Sequence, residues 1–461
     1  MRLTYFSLYR LALVLGIVGL KSAVADEPPL LESIPVPEPT VDVRMPVGDV
    51  ARGVPMPRGT LDHSVYRARR ARLMEAMGGG VAVIFGAKHI GDGDRQNADF
   101  YYLTGLALEE GAALVLAPED PTWKEYLFLA PVDPEKNRWD GERALLGRAV
   151  ELGSGFARVS RTGRLGGALA RLVLRSDPRE MVFLGPVVGF ERSVPRNLKV
   201  SQDVTARIPG ASVRLAHELL PGLRQLHDEA EIALIQRAID ITGDALLAAM
   251  LNVGPGLREY ELKHVIENQF RAGGSRRVAF PSIVGSGPNG AVLHYRDDSR
   301  EMAAGELVLC DVGAEFEHYA ADVTRTFPVA GRFSERQREV YEVVLAAQAA
   351  GIAQCRPGRR MRDDVHRAAR RVIEEAGFTD AFLHGTSHFL GLEVHDAGNS
   401  DAPLEPGTII TVEPGIYLPE EALGIRIEDD VLITDGDPVV LSAGIPRTVA
   451  EIEWAMSSAA R

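Results

Sequence analysis

The feature that most constrains this chain is the segment 308–327, VLCDVGAEFEHYAADVTRTF. Apolar, β-branched residues flank a polar, turn-tolerant stretch, and this pattern predicts a β-hairpin. A four-residue loop at 315–318 would place Asp311 directly opposite Asp322. The hairpin would then present two carboxylates to the same side of a half-buried sheet.

Two carboxylates in that arrangement need a partner. Opposed residues of an antiparallel pair have Cβ atoms about 4.5–5.5 Å apart, and two ionised carboxylates that close repel each other unless a proton or a cation lies between them. The hairpin therefore predicts a shared proton or a metal site. A register slip of one residue, which would turn one aspartate to solvent, stays open at this point.

Length and periodicity divide the chain. A chain of 461 residues is longer than one core usually serves, so two domains are expected. Between 61 and 215 helical and strand patterns alternate, which predicts an α/β domain; the expected elements are a helix at 65–77 and strands at 80–86, 112–117, 126–131 and 181–185. The second domain, 216–461, begins with predicted helices at 229–251 and 259–271. The polar and aromatic segment 94–105, DRQNADFYYLTG, favours a solvated turn that enters a strand.

The N-terminus is typical of an exported protein. Two arginines precede an apolar run at 11–20 that is too short to span a bilayer, and Ala23-Val24-Ala25 is typical of a signal-peptidase site. We expect a signal peptide at 1–25, a periplasmic or secreted protein and, after cleavage, no membrane partner; an uncleaved anchor is the alternative. Residues 26–60 hold eight prolines and are predicted to form an extended leader.

Charge and cysteine content narrow the partners. Loss of 1–25 would remove three basic residues and no acid, which takes the formal net charge from −13 to −16. Such a chain is repelled by phosphates, so nucleic acid is not an expected partner. Cys310 and Cys355 permit at most one disulfide, and Cys310 is predicted to be a buried free thiol because it lies in an apolar strand.

Further acids and histidines follow in the C-terminal half. An apolar strand at 407–413 ends in Glu413, and the alternation of 424–433 places Arg426 and Glu428 on one face. The segment 384–396 carries three of the chain's 11 histidines. Four carboxylates and one imidazole are a ligand set for two divalent ions of the Mn, Co or Zn kind. Such a pair activates a bridging water and supports hydrolysis of an amide or ester.

Five motifs in the catalytic half carry a resemblance to a known family. In chain order they are FPSIVGSGPNGAVLHY, DVGAEFEHYAADVTRTF, HGTSHFLGLEVHDAG, TVEPGIY and GIRIEDDVLIT. The set resembles the pita-bread metallopeptidases, and among them the Xaa-Pro aminopeptidases (aminopeptidase P) and prolidases. DRQNADFYYLTG is similar to the N-terminal domain of aminopeptidase P. The implied fold is an α/β N-terminal domain followed by an α+β pita-bread (creatinase/aminopeptidase-like) catalytic domain.

The resemblance also implies roles for individual residues. It assigns the metal ions to five ligands: Asp311, Asp322, His388, Glu413 and Glu428. Glu413 would also accept a proton, while His294 and His395 would contact the scissile peptide. The residues expected to line a proline pocket or to brace the ligands are His384, Arg426 and Tyr417. Mn²⁺ is the expected ion, with Co²⁺ or Zn²⁺ as alternatives, and a homo-oligomer is expected.

The implied function is an exported dinuclear-metal exopeptidase that releases the N-terminal residue from peptides with proline in the second position. An Xaa-Pro dipeptidase stays open, because Glu428 follows Glu413 by only 15 positions, as in compact prolidases. The segment 94–105 and the segment 139–143 favour the aminopeptidase. A catalytically silent peptide-binding module is the remaining alternative, and the intact set of ligand positions argues against it.

Overall fold

The structure is a computed structural model that describes residues 60–91 and 94–457, apart from the side chain of Asp140. The predicted signal peptide and the predicted leader up to residue 59 lie outside the described residues. The described residues belong to one compact unit.

The first half of the described chain forms a mixed sheet with helices. Its elements are α1 His63–Met77, β1 Val81–Phe85, α2 Ala98–Thr104, β2 Ala113–Leu116, β3 Glu125–Leu129, α3 Asn137–Asp140, α4 Arg148–Ser154, β4 Val159–Arg161, α5 Leu165–Arg175, β5 Glu180–Phe183, α6 Arg196–Thr205 and β6 Ser212–Leu215. The strand order is β4-β3-β2-β1-β5-β6. The β1–β2 and β2–β3 pairs are antiparallel, and the other pairs are parallel.

This sheet is covered on both faces. Val81 and Val83 of β1 belong to an apolar cluster with α5, whereas Ala82 and Ile84 belong to a second cluster with α1 and α2. Because successive strand residues point to opposite faces, an uninterrupted apolar strand is what a sheet between two helical layers requires. The predicted α/β character of this half is confirmed.

The segment 94–105 differs from its prediction. Its residues Ala98–Thr104 form the helix α2, not a solvated turn leading into a strand. The Asn97 side chain accepts a hydrogen bond from the backbone N–H of Phe100, which begins the helix. The Arg70 guanidinium donates to the carbonyl of Leu103 at 2.7 Å. Residues 100–104 are all buried, and their aromatic side chains belong to the core.

The second half begins with helices and continues with short sheets. Its elements are α7 Leu219–Arg224, α8 Glu229–Asn252, α9 Glu259–Ala272, β7 Arg277–Val278, β8 Ile283–Ser286, β9 Leu307–Val312, β10 Ala314–Phe316, β11 Tyr319–Ala320, β12 Val323–Pro328, α10 Glu335–Ile352, α11 Arg367–Glu375, β13 Ile409–Val412, β14 Gly415–Leu418, β15 Leu423–Arg426, β16 Asp429–Leu432, β17 Val439–Val440 and α12 Val449–Ser457. The helices predicted at 229–251 and 259–271 are confirmed as α8 and α9.

The strands of this half form four small sheets. Their orders are β11-β10-β7, β12-β9-β8, β13-β16-β17 and β14-β15. The predicted strand at 424–433 is divided into β15 and β16, and Glu428 lies at the break. Cys310 and Cys355 are both free and buried, so the prediction for Cys310 is confirmed. The domain boundary near residue 215 stays a prediction.

The register of the hairpin at 308–327 differs from the predicted one. Its turn has two residues, Glu317 and His318, which both adopt positive φ (48° and 74°). Asp311 therefore lies opposite Thr324, not opposite Asp322. The displacement is two residues, and because side chains alternate with a period of two, Asp311 and Asp322 keep the same face.

Candidate active site

A cavity of about 370 Å³ lies among the small sheets of the second half. Nine of the ten residues predicted for the site line it: His294, Asp311, Asp322, His384, His388, His395, Glu413, Arg426 and Glu428. Tyr417 lies behind this lining and is 2% exposed. The structure thus brings together side chains that are up to 134 positions apart in the chain, from His294 to Glu428.

Backbone pairing sets the positions of the acids. Glu413 directly follows β13, and the segment before His388 runs beside that strand, since Thr411 N donates to the carbonyl of His388 at 3.0 Å. Glu428 is held beside β12 because its N–H donates to the carbonyl of Thr324 at 3.1 Å. Asp311 belongs to β9, the strand next to β12. Asp311 thus reaches the cavity from within a strand, whereas Asp322, Glu413 and Glu428 reach it from positions directly before or after strands.

His388 presents a free nitrogen to the acids. Its Nδ1 lies 3.1 Å from the carbonyl oxygen of Phe389, which can only accept, so Nδ1 carries the proton. Its Nε2 then offers a lone pair at 3.4 Å from Asp322 Oδ2 and 3.7 Å from Glu413 Oε1. Ligand atoms of Asp322, His388 and Glu428 all lie within 4.8 Å of one another.

Each aspartate has a buried oxygen that lacks a donor among the described residues. These atoms are Oδ1 of Asp311 and Oδ1 of Asp322. Buried acceptors are normally satisfied, and a cation held among these carboxylates and the His388 lone pair would satisfy both oxygens. Asp322, His388 and Glu428 therefore fit a divalent cation, and Asp311 and Glu413 line the same cavity.

Burial and neighbouring charges shift the pKa values of these side chains. Burial, reinforced by neighbouring carboxylates, raises the pKa of Asp322 and of Glu428 well above the ordinary value. Burial also raises the pKa of Glu413 to about 8, with Asp311 contributing to the rise and Arg426 opposing it. For His388, burial lowers the pKa to about 4. An imidazole that stays neutral is the form that binds metal.

A hydrogen-bonded chain runs from Asp311 away from the acids. Arg426 donates from Nη2 to Asp311 Oδ2 at 2.6 Å and from Nη1 to the Tyr417 hydroxyl at 2.8 Å. That hydroxyl lies 2.8 Å from Nε2 of His384. Burial, together with the charge of Arg426, lowers the pKa of His384 to about 4. The chain fixes Asp311 from behind and keeps His384 neutral.

Two supporting residues were missed by sequence reasoning. Thr324 donates from its hydroxyl to Glu428 Oε2 at 2.7 Å, and the correct hairpin register would have identified it as the partner of Asp311. Glu259, fully buried at the start of α9, accepts from Ser286, from Tyr295, which follows His294, and from the backbone N–H of Arg300. Its sequence context signals only a helix start.

Comparison with known proteins agrees with this arrangement. Residues 66–183 match the model of the aminopeptidase P N-terminal domain, and residues 233–435 match the model of metallopeptidase family M24. The Xaa-Pro aminopeptidase of Escherichia coli strain K12 is 33% identical over 436 residues, which cover 86% of this chain and 98% of that protein. The Xaa-Pro aminopeptidase of Haemophilus influenzae is 34% identical over 395 residues, which cover 79% of this chain and 88% of that protein.

Solved structures show the same architecture. Pseudomonas aeruginosa aminopeptidase PepP has a TM-score of 0.77 and 33% identity, over 87% of this chain and 99% of that one. An Escherichia coli aminopeptidase P variant in complex with substrate has a TM-score of 0.77 and 31% identity, with the same coverage. The predicted fold class, an α/β N-terminal domain with a pita-bread catalytic domain, is confirmed. The chain therefore belongs to the aminopeptidase P family of M24 metallopeptidases.

Proposed function

We propose that this protein is a dinuclear-metal Xaa-Pro aminopeptidase, which removes the N-terminal residue from peptides with proline in the second position. The observation that carries the proposal is the meeting of four carboxylates and four histidines, among them His294 and His395, on one cavity of about 370 Å³. The names of the relatives support the Xaa-Pro aminopeptidase activity.

Two divalent ions would be held by Asp311, Asp322, His388, Glu413 and Glu428. When bound, such ions lower the pKa of a water and stabilise negative charge that develops on a carbonyl oxygen. We propose Mn²⁺ as the resident ion, with Co²⁺ or Zn²⁺ as alternatives. A zinc-substituted Escherichia coli aminopeptidase P has been solved in complex with product, so a relative accepts that ion.

Glu413 would also take up a proton, and the other side chains on the cavity would bind the peptide. Glu413 is suited to take the proton of the attacking water, since it lines the cavity and its pKa is raised to about 8. His294 and His395 line the same cavity and would donate hydrogen bonds to the scissile peptide as its carbonyl gains charge. His384 and Arg426, braced by Tyr417, would bound the proline subsite.

A substrate panel tests the activity. Purified protein loaded with Mn²⁺, Co²⁺ or Zn²⁺ is given an Xaa-Pro-Xaa tripeptide, the matching Xaa-Pro dipeptide and a tripeptide with alanine in place of proline. We expect release of the first residue from the proline tripeptide and strong discrimination against the alanine peptide. Turnover of the dipeptide alone would indicate a prolidase instead.

Two variants connect that activity with the metal residues. Asp322→Asn removes one charged ligand with little change in shape, and we expect bound metal and turnover to fall together. Glu375→Gln, on the exposed surface of α11, is the matched control and should behave like the parent protein. Full turnover by the Asp322→Asn variant would contradict the metal assignment.

We also propose that residues 1–25 direct export and that the mature protein is a homo-oligomer. The basic and apolar pattern of 1–25 supports export. Within the described part of the chain, no helix has the length and apolar character that a bilayer crossing needs. Cell fractionation of the full chain beside a version lacking 1–25 tests export, and analytical ultracentrifugation tests the subunit number.

A further inference from the structure

A cluster of charges around a buried guanidinium lies outside the cavity, between α2 and the turn that carries His395. Its centre is Arg224, at the end of α7, which is only 4% exposed. Arg224 Nη1 donates to Asp99 Oδ1 at 2.7 Å, and Nη2 donates to Glu393 Oε2 at 3.1 Å and also to Asp396 Oδ1. One guanidinium thus serves three carboxylates that come from two distant parts of the chain.

The Asp396 carboxylate organises the turn at 389–396. Its Oδ2 accepts from the N–H of Leu392 at 3.1 Å, while its own N–H donates to the carbonyl of Phe389 at 2.9 Å. A Cβ added to Gly391 would lie 2.1 Å from Asp396 Oδ2, so the carboxylate occupies the space that a larger residue would need. The conformation of the turn therefore depends on where this carboxylate is held.

The residue before Asp396 is His395, which lines the cavity. Its ring lies 4.3 Å, centroid to centroid, from the ring of His388. The Asp396 side chain is 2% exposed, so its negative charge is balanced by a side chain of the protein and not by solvent. Arg224 supplies that positive charge. The neighbouring His227 holds the same turn through a 2.9 Å contact between its Nε2 and the carbonyl of Leu390.

The third partner connects the cluster to the first half of the chain. Asp99 belongs to α2, within the segment DRQNADFYYLTG, to whose individual residues the sequence assigned no role. The donors of a guanidinium form a rigid, planar fork, so the acids that accept from a buried guanidinium determine its orientation. Asp99 therefore fixes the orientation of Arg224 through Nη1, while Nη2 contacts the carboxylates of the turn.

We propose that Arg224 is a positioning residue for His395: held by Asp99, it fixes the Asp396 carboxylate and through it the imidazole that faces the substrate. This inference rests on the proposed peptidase function. The alternative is that the cluster only fastens α2 and α7 to the rest of the fold, in which case its loss would change stability without any dependence on His395.

A double-mutant cycle separates the two roles. Asp99→Asn and Arg224→Lys are made in the wild-type chain and in a His395→Ala chain, and kcat/KM is measured with the proline tripeptide. In the wild-type background we expect a loss of about 10- to 100-fold, mostly in kcat, because a displaced catalytic group costs about that much. In the His395→Ala background the same changes should cost less than about 3-fold, since residues that act as a unit are not additive.

Three controls make the result interpretable. Glu393→Gln changes the half-exposed partner of the same guanidinium and should leave kcat/KM within about 2-fold of the parent value. Bound metal and the melting temperature are measured for every variant, and the near-isosteric Asp99→Asn serves if Arg224→Lys does not fold. Equal losses in both backgrounds, or losses that follow metal content, would overturn the inference. An inactive wild-type protein would instead refute the proposed function.

Discussion

Thr324 lies directly opposite Asp311 in the β9–β12 ladder, and its hydroxyl joins two of the charged groups at the site. The hydroxyl donates to Glu428 Oε2 at 2.7 Å and accepts from Nε of Arg426 at 3.2 Å. Arg426 in turn donates to Asp311. One uncharged side chain therefore links, through Arg426, two acids proposed to bind metal.

Thr324→Val tests this relationship. Valine keeps the volume but removes the hydroxyl, so Glu428 loses its only side-chain donor in the described structure and Arg426 loses an acceptor. We expect metal affinity to fall by about 10- to 100-fold, as for other residues that support metal ligands. Isothermal titration calorimetry of the metal-free protein with Mn²⁺ measures the change in metal affinity.

Thr326→Val is the matched control for Thr324→Val. Thr326 is equally buried, two residues along the same strand face, but its hydroxyl exchanges hydrogen bonds only with the main chain of Arg426. We expect it to lower the free energy of unfolding by about 1–2 kcal/mol while metal affinity stays near the parent value. Equal metal affinity in the two variants would show that the hydroxyl of Thr324 does not orient Glu428.

Candidate catalytic and metal-binding residues were predictable from the sequence where they lie in a recognisable strand or motif. Glu413 at a strand end and the histidines of 384–396 are examples, and the helix that became α8 was predicted as well. The hairpin register was not predictable, because Glu317 and His318 adopt positive φ, which turn rules expect of glycine or asparagine. Nor was Arg224, whose partners lie 125 to 172 positions away.

The prediction for the segment 94–105, which contains α2, was wrong for another reason. Its polar residues, Arg95 and Asp99 among them, indicate a solvated turn when they are read locally. In the structure Arg95 Nη2 donates to the carbonyl of Ala279 at 2.6 Å, and Asp99 meets Arg224. The partners of these polar groups lie in the other half of the chain, so the local sequence does not indicate them. A polar segment that contacts solvent and one that contacts a distant part of the protein therefore have the same local sequence pattern.

Removal of metal should reverse the pH dependence of stability. In the metal-free protein the raised pKa values of Asp322, Glu413 and Glu428 mean that the folded state favours protonated carboxyls. Their stabilisation is complete below the unfolded pKa, near 4.5, and is lost as pH rises through the folded value, about 8 for Glu413. Above pH ~6.5, His384 and His388, with pKa values lowered to about 4, no longer contribute.

We therefore expect the free energy of unfolding of chelator-treated protein to fall by about 2 kcal/mol or more between pH 6.5 and 9, with Glu413 alone supplying about 2 kcal/mol. With Mn²⁺ present the trend should be upward, since metal binds the ionised carboxylates. Urea titrations across this pH range, with and without metal, measure both trends. Glu413→Gln should flatten the metal-free curve, and a metal-free curve that rises with pH would contradict the explanation.

Tyr295→Phe should impair catalysis without loss of metal. The Tyr295 hydroxyl donates to the buried carboxylate of Glu259 at 2.8 Å, and this bond holds the loop next to His294. We expect kcat/KM for the proline tripeptide to fall about 10-fold, the cost of one hydrogen bond to a charged group, with bound metal unchanged. Tyr260→Phe, at the neighbouring exposed tyrosine, is the control. A loss of metal in the Tyr295 variant would mean that the loop supports the ligands instead of His294.

Gly313→Ala should disrupt the hairpin on which the site depends. A Cβ at Gly313 would lie 1.8 Å from the carbonyl oxygen of Ala321, so the two strands cannot approach as they do between Asp311 and Asp322 unless this position lacks a side chain. We expect the free energy of unfolding to fall by about 3 kcal/mol or more, at the upper end of overpacking costs, and metal affinity to fall with it. Gly222→Ala, in α7 with open space around it, is the matched control and should be neutral or stabilising. Parent-like stability in the Gly313 variant would show that the strands can separate here without moving the aspartates.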